Sequence, residues 1–433
     1  MESTIVVMVV FAGALFLGLP IAFGLIVASI VGLMMLRGFP VSLSALSTMP
    51  YANVSDIGLA VIPLFILMGF LASKAGVSAK AYDVAYRLVG RLPGGLAIST
   101  VFACAAFAAT SGSSVATSAA VGRIALSEMR RFRYADAISV GTVASAGLLG
   151  IMIPPSIMLV VYGIITQEDI GSLLLAGILP GILTAFIFCL GLFVIALWKP
   201  HLMPVSHERF SWREKLSSIR HAWGIVLLFT IIIGGIYTGI FTVTEAAGVG
   251  AVTALILAFC KRDVPFAEIL GGGRQAVSAT AMIFLILIGA GLFSQYIALS
   301  GLATDFARML TATDLNRYVI LLLILLAYIP LGMFLEPISM CLITLPIVYP
   351  AVTALGFDPI WFGIIVVKMS ELANITPPIG VNVFVIRGIA PDVPLGKVFQ
   401  GASIFLVFEI ITLAILIAFP AIATFLPELA RQS

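Results

Sequence analysis

Charged residues are scarce in this sequence, and histidine is nearly absent. Of 433 residues, 10% are charged and 61% are hydrophobic, whereas soluble proteins carry about 25% charged residues. The net charge of +3 is small, which gives no basis for nucleic-acid binding. All three histidines lie in the hydrophilic stretch 199–221, so a serine–histidine hydrolase or a histidine metal site inside a membrane is excluded. The composition predicts an all-α polytopic membrane protein.

Cysteines are also few, and no targeting segment is evident. Cys104, Cys189, Cys260 and Cys341 are scattered through apolar segments without paired spacing, which is typical of small core residues and not of a disulfide framework or a metal site. The N-terminus lacks the basic region and cleavage site of a signal peptide. We therefore expect the first hydrophobic run to insert into the bilayer and remain there.

Long apolar runs fill most of the chain. About 20 apolar residues span a bilayer as a helix. The apolar segments lie at 5–36, 57–73, 96–128, 135–165, 171–198, 222–240, 243–260, 275–298, 318–350, 359–386 and 400–426. The first is too long for one upright helix and short for two, so both possibilities stay open. The basic stretch 199–221 is predicted to be a cytoplasmic linker between halves 1–198 and 222–433.

Two proline pairs interrupt apolar segments in the same way. Pro154-Pro155 and Pro377-Pro378 lie 223 residues apart, and each follows a long apolar segment with a polar interruption. Proline breaks a helix, and non-helical backbone at membrane depth is tolerated where it lines a buried cavity. Each half is therefore predicted to hold a re-entrant hairpin followed by a broken helix. The hairpins are placed at 96–128 and 318–350, and the broken helices at 135–165 and 359–386.

The loop charges favour two inverted repeats. The loops at 74–91 and 130–133 are basic, whereas their counterparts in the second half are not. By the positive-inside rule, we expect 74–91, 130–133 and 199–221 to be cytoplasmic, and 166–170 and 299–317 to lie outside. Inverted repeats with broken helices are the architecture of many secondary transporters.

The breaks and the polar interruptions are the predicted binding site. Unwound backbone offers carbonyl oxygens that coordinate a cation such as Na⁺. In the first half we expect the cation between the tip Thr110–Ser114 and the backbone of Gly150, Ile153 and Pro155. In the second half the equivalent groups are Phe334, Glu336, Ala373, Thr376 and Pro378. The alternative is that the proline pairs are kinks for packing.

Five polar residues are predicted to face a transported anion: Ser113, Ser114, Glu336, Asn374 and Asn382. An acid at membrane depth is costly and favours a functional role. The alternatives are close helix packing for the serines, a helix cap for Glu336, and interhelical bridges for the asparagines. Two other features have structural interpretations: Thr242-x-x-Glu245 has the spacing of a capping box, and Lys368 and Glu371 share a helical face on which they can pair.

Several stretches resemble the large, DctM-type membrane subunit of tripartite ATP-independent periplasmic (TRAP) transporters, over essentially the whole chain. They are IPLFILMGFLASKAGVS, SGSSVATSAAVG, IPPSIMLVVYG, FTVTEAAG and TPPIGVNVFVIRGIA. The resemblance implies a multi-pass protein of the bacterial inner membrane, not an enzyme. It implies Na⁺-driven uptake, without ATP, of an organic acid such as a C4-dicarboxylate, a sialic acid or another sugar or keto acid.

The resemblance also implies partners, a motion and ligands. A soluble periplasmic binding protein delivers the substrate, a small four-helix membrane subunit packs alongside, and transport uses an elevator mechanism. Because nothing precedes residue 5, we expect the small subunit to be a separate chain. Sodium ligands carry over to Ser111, Gly150, Ile153 and Pro155, and at the mirror-related site to Phe334, Ala373, Thr376 and Pro378. The second tip has Glu336 where many relatives carry aspartate.

Two other functions remain as alternatives. A self-sufficient Na⁺-coupled dicarboxylate or citrate carrier could use the same hairpin design without a binding protein. An intramembrane enzyme would need histidine or paired aspartates at membrane depth, and the sequence has neither in its apolar segments. Uptake by proteoliposomes with and without a binding protein separates the two carriers.

Overall fold

The computed structural model describes residues 2–206, 208, 210–261, 264–378 and 380–432, which are almost entirely helical. In the first half, the α-helices in chain order are α1 (Glu2–Phe16), α2 (Ile21–Arg37), α3 (Phe39–Val54), α4 (Val61–Lys74), α5 (Val77–Val89), α6 (Gly95–Ser111), α7 (Ser114–Arg131), α8 (Asp136–Ala146), α9 (Leu149–Met152), α10 (Ile157–Thr166), α11 (Ile170–Ala176) and α12 (Ile178–Trp198).

The linker contains α13 (Trp212–His221). In the second half, the helices are α14 (Trp223–Phe229), α15 (Gly235–Tyr237), α16 (Val243–Cys260), α17 (Phe266–Ser300), α18 (Leu302–Thr311), α19 (Arg317–Phe334), α20 (Pro337–Ala354), α21 (Pro359–Asn374), α22 (Val381–Ile389), α23 (Leu395–Ala418) and α24 (Ala421–Gln432). Short 3₁₀ turns at Ile57–Ala60 and Pro200–Leu202 precede α4 and α13, and a π-helical turn at Thr230–Gly234 joins α14 to α15.

The first apolar segment is two helices. Gly18, with φ of +76°, lies in the turn between α1 and α2. The two helices pack closely, since a Cβ built on Gly32 would lie 2.5 Å from Val7 and one built on Gly24 would lie 3.4 Å from Ala14. The first contact joins the first half of α1 to the second half of α2, and the second contact joins the end of α1 to the start of α2. The two helices are therefore antiparallel.

The first predicted hairpin is present, with slightly wider bounds. Helices α6 and α7 pack against each other, and Gly112 ends α6 in the left-handed conformation that a C-cap glycine adopts at low cost. Ser113 then caps α7 by accepting a hydrogen bond from Ala116 N. Small residues along both arms allow this close approach.

The second predicted hairpin corresponds to α19 and α20. The Thr344 hydroxyl donates a 2.8 Å hydrogen bond to the Tyr328 hydroxyl, which joins the two arms at equal distances from Glu336. Each arm is 18 residues and apolar enough to cross a membrane. Re-entrance of this hairpin therefore stays a prediction.

Both predicted broken helices are present. The chain bends by 42° between Asp136–Met152 and Ile157–Thr166, and six residues separate the end of α21 from the start of α22. The Pro154-Pro155 and Pro377-Pro378 peptide bonds are both cis. The two proline pairs thus mark the positions at which the helices are interrupted.

The two halves interlock. Helix α2 packs on α17 and α4 packs on α16, while α7 contacts α22 and α10 contacts α20. Adding 223 to the residue numbers moves α2 onto α16, α4 onto α17, α7 onto α20 and α10 onto α22. The α2–α17 contact therefore corresponds to the α4–α16 contact, and the α7–α22 contact corresponds to the α10–α20 contact. By length and composition, seven helices in the described part of the chain could cross a membrane, or nine if each bent pair is one span.

Candidate functional site

The tip of the first hairpin lies directly on the first helix break. The Ile157 amide donates a 3.4 Å hydrogen bond to the Gly112 carbonyl. A Cβ on Gly112 would lie 2.5 Å from the Pro155 carbonyl oxygen, and one on Gly150 would lie 2.5 Å from the Ser113 carbonyl oxygen. No side chain fits between these backbones, so both positions need glycine. We call this contact of residues 111–114 with 150–157 the first junction.

Hydroxyl groups add to the oxygen atoms of the first junction. The Ser111 and Thr117 hydroxyls lie 2.7 Å apart, and both side chains are buried. The Thr117 hydroxyl would also lie 2.6 Å from a Cβ on Gly150. Sequence reasoning missed Thr117, although it follows Ser111 by six residues in the same Ala/Ser/Thr/Gly-rich stretch. Ser114, the first residue of α7, is buried beside them.

Ile153 leaves the helical conformation at this junction. It follows the last residue of α9 with ψ of 127°, which turns its carbonyl out of the helical hydrogen-bond ladder. Of the residues predicted for the first half, the structure thus brings Ser111, Ser113, Gly150 and Pro155 into one place, with Ile153 between the last two along the chain.

The second junction is formed by residues 332–336 and the break after α21, residues 373–378 and 380. A Cβ on Gly332 would lie 2.5 Å from the Ala373 side chain. A Cβ on Gly380 would lie 3.0 Å from the Asn374 carbonyl oxygen and 3.4 Å from that of Thr376. These two carbonyls therefore converge beside Gly380.

The remaining predicted residues of the second junction differ in exposure. Thr376 donates its hydroxyl hydrogen to the Leu372 carbonyl at 2.7 Å. The Phe334 side chain is 63% exposed, and Pro378 is also exposed. Glu336 occupies the N-cap position of α20 but makes no side-chain cap hydrogen bond, so the capping alternative gains no support.

The two asparagines lie on either side of the second break. The Asn382 amide nitrogen donates a 3.1 Å hydrogen bond to the Ala144 carbonyl, which links α22 to α8 as the bridging alternative expected. The Asn382 amide oxygen and the Asn374 amide nitrogen are buried and have no hydrogen-bond partner among the described residues. Those two atoms are free to bind a ligand.

A fully buried ionic cluster lies just before the second break. The Lys368 ammonium is 2.6 Å from Glu371 and 3.0 Å from the Thr184 hydroxyl, and it also pairs with Glu409. The predicted Lys368–Glu371 pair is confirmed. Sequence reasoning missed Glu409 and Thr184, which come from α23 and α12. The cluster ties α21 to both helices.

The predicted capping box is also present. Glu245 accepts a 2.8 Å hydrogen bond from the Thr242 amide, and the Thr242 hydroxyl accepts a 3.3 Å bond from the Glu245 amide. This confirms the structural interpretation of the motif, which begins α16.

The site chemistry is that of carbonyl, hydroxyl and amide groups. Among the described residues, no group of three or more His, Cys, Asp or Glu could hold a metal ion. Backbone carbonyls and hydroxyls at a helix break suit a hard monovalent cation. The two junctions therefore offer oxygen ligands for an ion such as Na⁺, and the free amide nitrogen of Asn374 offers a hydrogen bond for an anionic solute.

Comparison with known proteins finds relatives among transport proteins. The chain is 39% identical over 392 residues, 90% of each chain, to the C4-dicarboxylate TRAP transporter large permease protein DctM of Pseudomonas aeruginosa. It is 32% identical, over 96% of each chain, to the sialic acid TRAP transporter large permease protein SiaM of Vibrio cholerae. It is also 32% identical to the isethionate TRAP transporter permease protein DctMQ of Oleidesulfovibrio alaskensis, covering 97% of this chain and 64% of the relative.

The fold has a solved counterpart. The crystal structure of the Alcanivorax borkumensis YdaH transporter matches with a TM-score of 0.60 at 15% identity, covering 87% of this chain and 89% of that one. The family model for the DctM component of tripartite ATP-independent periplasmic transporters matches residues 8–422. The chain therefore belongs to the DctM family and is a TRAP transporter large permease subunit, a transport protein and not an enzyme.

Proposed function

We propose that this permease imports an organic acid across the bacterial inner membrane by symport with Na⁺. The observation that carries the proposal is the first junction, where the Gly112, Ser113 and Pro155 backbones meet beside two buried hydroxyls. Coupling requires the cation and the solute to bind the same unit, and the junction supplies oxygen ligands for the cation there. The second junction supplies the equivalent groups in the other half.

The substrate class is proposed from chemistry and from similarity. The free amide nitrogen of Asn374 can donate a hydrogen bond to a carboxylate, and the free amide oxygen of Asn382 can accept one from a hydroxyl group of the solute. A relative with 39% identity is named for C4-dicarboxylates, and another is named for sialic acid, which is also a carboxylate. We therefore place a dicarboxylate first among the candidate substrates. Ser113, Ser114 and Glu336 complete the proposed substrate site.

The proposed architecture is two inverted repeats, 1–198 and 222–433, joined by the cytoplasmic linker 199–221. The reciprocal contacts of α2 with α17 and α4 with α16 support it, and so does the alternation of basic loops. The hairpins and broken helices would form the moving unit of an elevator. The similarity to the fold of the YdaH transporter supports this architecture but gives no information about the substrate.

The proposed partners are a small membrane subunit and a periplasmic binding protein. The isethionate relative is named DctMQ, and this chain covers 64% of its length, which is consistent with a second subunit fused to it.

Reconstituted uptake tests the proposal. Proteoliposomes containing the permease should take up labelled dicarboxylate only with an inward Na⁺ gradient, a small subunit and a binding protein. If the uptake of labelled dicarboxylate did not depend on the Na⁺ gradient, the protein would not be a Na⁺ symporter. Robust uptake by the single chain would instead favour a self-sufficient carrier.

A further inference from the structure

A cleft separate from both junctions runs between α5, α13, α14 and the end of α16. Its outer cavity has a volume of 540 Å³ and is lined by α5 and α13. Its inner cavity has a volume of 280 Å³ and is lined by residues at the start of α5, around the α13–α14 bend and at the end of α16. Lys80 and His221 line both cavities, so the two adjoin each other.

The outer cavity carries unbalanced positive charge. It is lined by Lys80, Arg87 and Arg213 on the basic side and by Asp83 and Glu214 on the acidic side. Asp83 is held by Arg87 at 2.9 Å, and Glu214 accepts the hydrogen bonds of the α13 capping box. Lys80 and Arg213 form no ion pair with any residue that the structure describes. The outer cavity is therefore suited to an anion.

The inner cavity is mostly apolar. Besides Lys80, His221 and Lys261, its lining is formed by Ala75, Val77, Ala222, Trp223, Gly224, Ile225, Leu257 and Cys260. A small hydrophilic anion would leave this half of the cleft unmatched. The cleft as a whole matches a molecule with an anionic head and an apolar tail.

Helix α13 has the pattern of a helix at a membrane surface. Trp212, Leu216 and Ile219 recur at intervals of four and three residues, which places them on one face of α13. Trp212 is 82% exposed and Leu216 is 65% exposed. The chain then bends by 48° into α14. An exposed apolar face beside basic residues is typical of a helix lying in the lipid headgroup region.

We propose that this cleft binds one anionic phospholipid. Its phosphodiester group lies between Lys80 and Arg213, and one acyl chain follows the apolar lining into the inner cavity. Charge complementarity selects an anionic lipid over a zwitterionic one, because the three basic side chains of the outer cavity outnumber its two acids. This site is independent of the transported solute and of the proposed cation site.

Lipid titration of the purified full chain in detergent, followed by native mass spectrometry, tests the site. Dioleoyl phosphatidylglycerol should bind as a single tight adduct, and dioleoyl phosphatidylcholine should bind only weakly. The double variant Lys80→Gln/Arg213→Gln should weaken phosphatidylglycerol binding by about 25-fold, since each basic residue near an anionic lipid contributes a factor of about five.

The matched control is Arg91→Gln/Arg220→Gln. These residues are exposed and lie just beyond α5 and on α13, but neither lines the cleft, so affinity should stay at the wild-type value. Equal weakening in both double variants would show diffuse attraction and overturn the site. If the wild-type chain bound phosphatidylglycerol and phosphatidylcholine equally well, the proposed anionic-lipid site would also be overturned.

Discussion

The Arg130 guanidinium donates a 2.7 Å hydrogen bond to the Asp392 carboxylate and so joins the end of α7 to the loop after α22. A similar contact occurs on the other pair of elements, where the Tyr349 hydroxyl of α20 donates a 2.5 Å hydrogen bond to Glu168, in the loop after α10. The outer end of each hairpin is thus bound to the loop that follows the other half's broken helix. These two contacts couple the hairpins to the opposite halves.

The Arg130–Asp392 contact predicts a dependence of stability on acid pH. The hydrogen bond from Arg130 lowers the pKa of Asp392 below its ordinary value. A carboxyl whose pKa is lowered by folding stabilises the protein above its unfolded-state pKa of about 3.9, and this contribution is lost as the pH falls through the folded value. Asp392→Asn should therefore lower the melting temperature slightly at pH 7, and the difference should disappear in acid.

Melting curves of the detergent-solubilised chain between pH 7 and pH 3 provide the measurement. The effect should be small because both side chains are substantially exposed. Asp305→Asn, an exposed acid of α18, serves as the control. A difference between wild type and Asp392→Asn that persists unchanged at pH 3 would contradict the assigned role of the ion pair.

The buried ionic cluster predicts a large loss of stability when its cation is removed. Lys368→Met leaves Glu371 and Glu409 buried without a positive partner, which should cost about 3–5 kcal/mol. The triple variant Lys368→Met/Glu371→Gln/Glu409→Gln removes all three charges and should recover part of that loss. Melting temperature and the yield of monodisperse protein provide the readout.

Lys397→Met is the matched control for the cluster. Lys397 also pairs with a carboxylate, Asp136, but at 3.5 Å and with both side chains about half exposed. Its removal should cost at most about 1 kcal/mol. If Lys368→Met proved no more damaging than Lys397→Met, the cluster would not be the tie between α21, α12 and α23.

The capping box at the start of α16 predicts a change in stability without a change in transport. Thr242→Ala removes the hydroxyl that accepts from the Glu245 amide and should cost about 1 kcal/mol. Because the cap is remote in sequence from both junctions, the Na⁺ activation curve should keep its wild-type midpoint. A shifted midpoint with an unchanged melting temperature would assign Thr242 to the site.

Sequence reasoning located the interruptions because their causes are local. Proline removes a backbone donor wherever it stands, and the polar tip residues interrupt the apolar run directly. Glu409 could not be found in this way, since nothing in α23 indicates that Lys368 approaches it from another helix. Helix α3 was also missed, because Pro40, Pro50 and several serines and threonines lower its hydropathy.

The Ser111–Thr117 contact shows the same limit at the proposed site. Spacing predicted a polar tip, but only packing shows which hydroxyl lies opposite Ser111. The close approach of Gly150 to the Ser113 carbonyl is likewise a tertiary contact. The sequence therefore predicts which elements form the site, whereas the choice of atoms depends on how helices of different segments pack.

Gly150→Ala tests whether the first junction binds the coupling ion. The added Cβ would lie 2.5 Å from the Ser113 carbonyl oxygen, so the tip must move away from the break. The proposed ligands would then separate, and apparent Na⁺ affinity should fall by roughly 5- to 150-fold, the usual range of a coupling free energy. Initial uptake rates measured against Na⁺ concentration give this affinity.

Gly388→Ala is the control, since Gly388 lies in the second broken helix and, among the described residues, nothing beyond its own stretch of helix comes within 4 Å of an added Cβ. Alanine also favours helix over glycine, so this variant should fold normally and keep the wild-type Na⁺ curve. Overpacking at Gly150 will also lower stability, by about 1–3 kcal/mol, so thermal stabilisation by added Na⁺ is the more direct readout. If Gly150→Ala retained full stabilisation by Na⁺, the tip and break would be packing features and the ion would bind elsewhere.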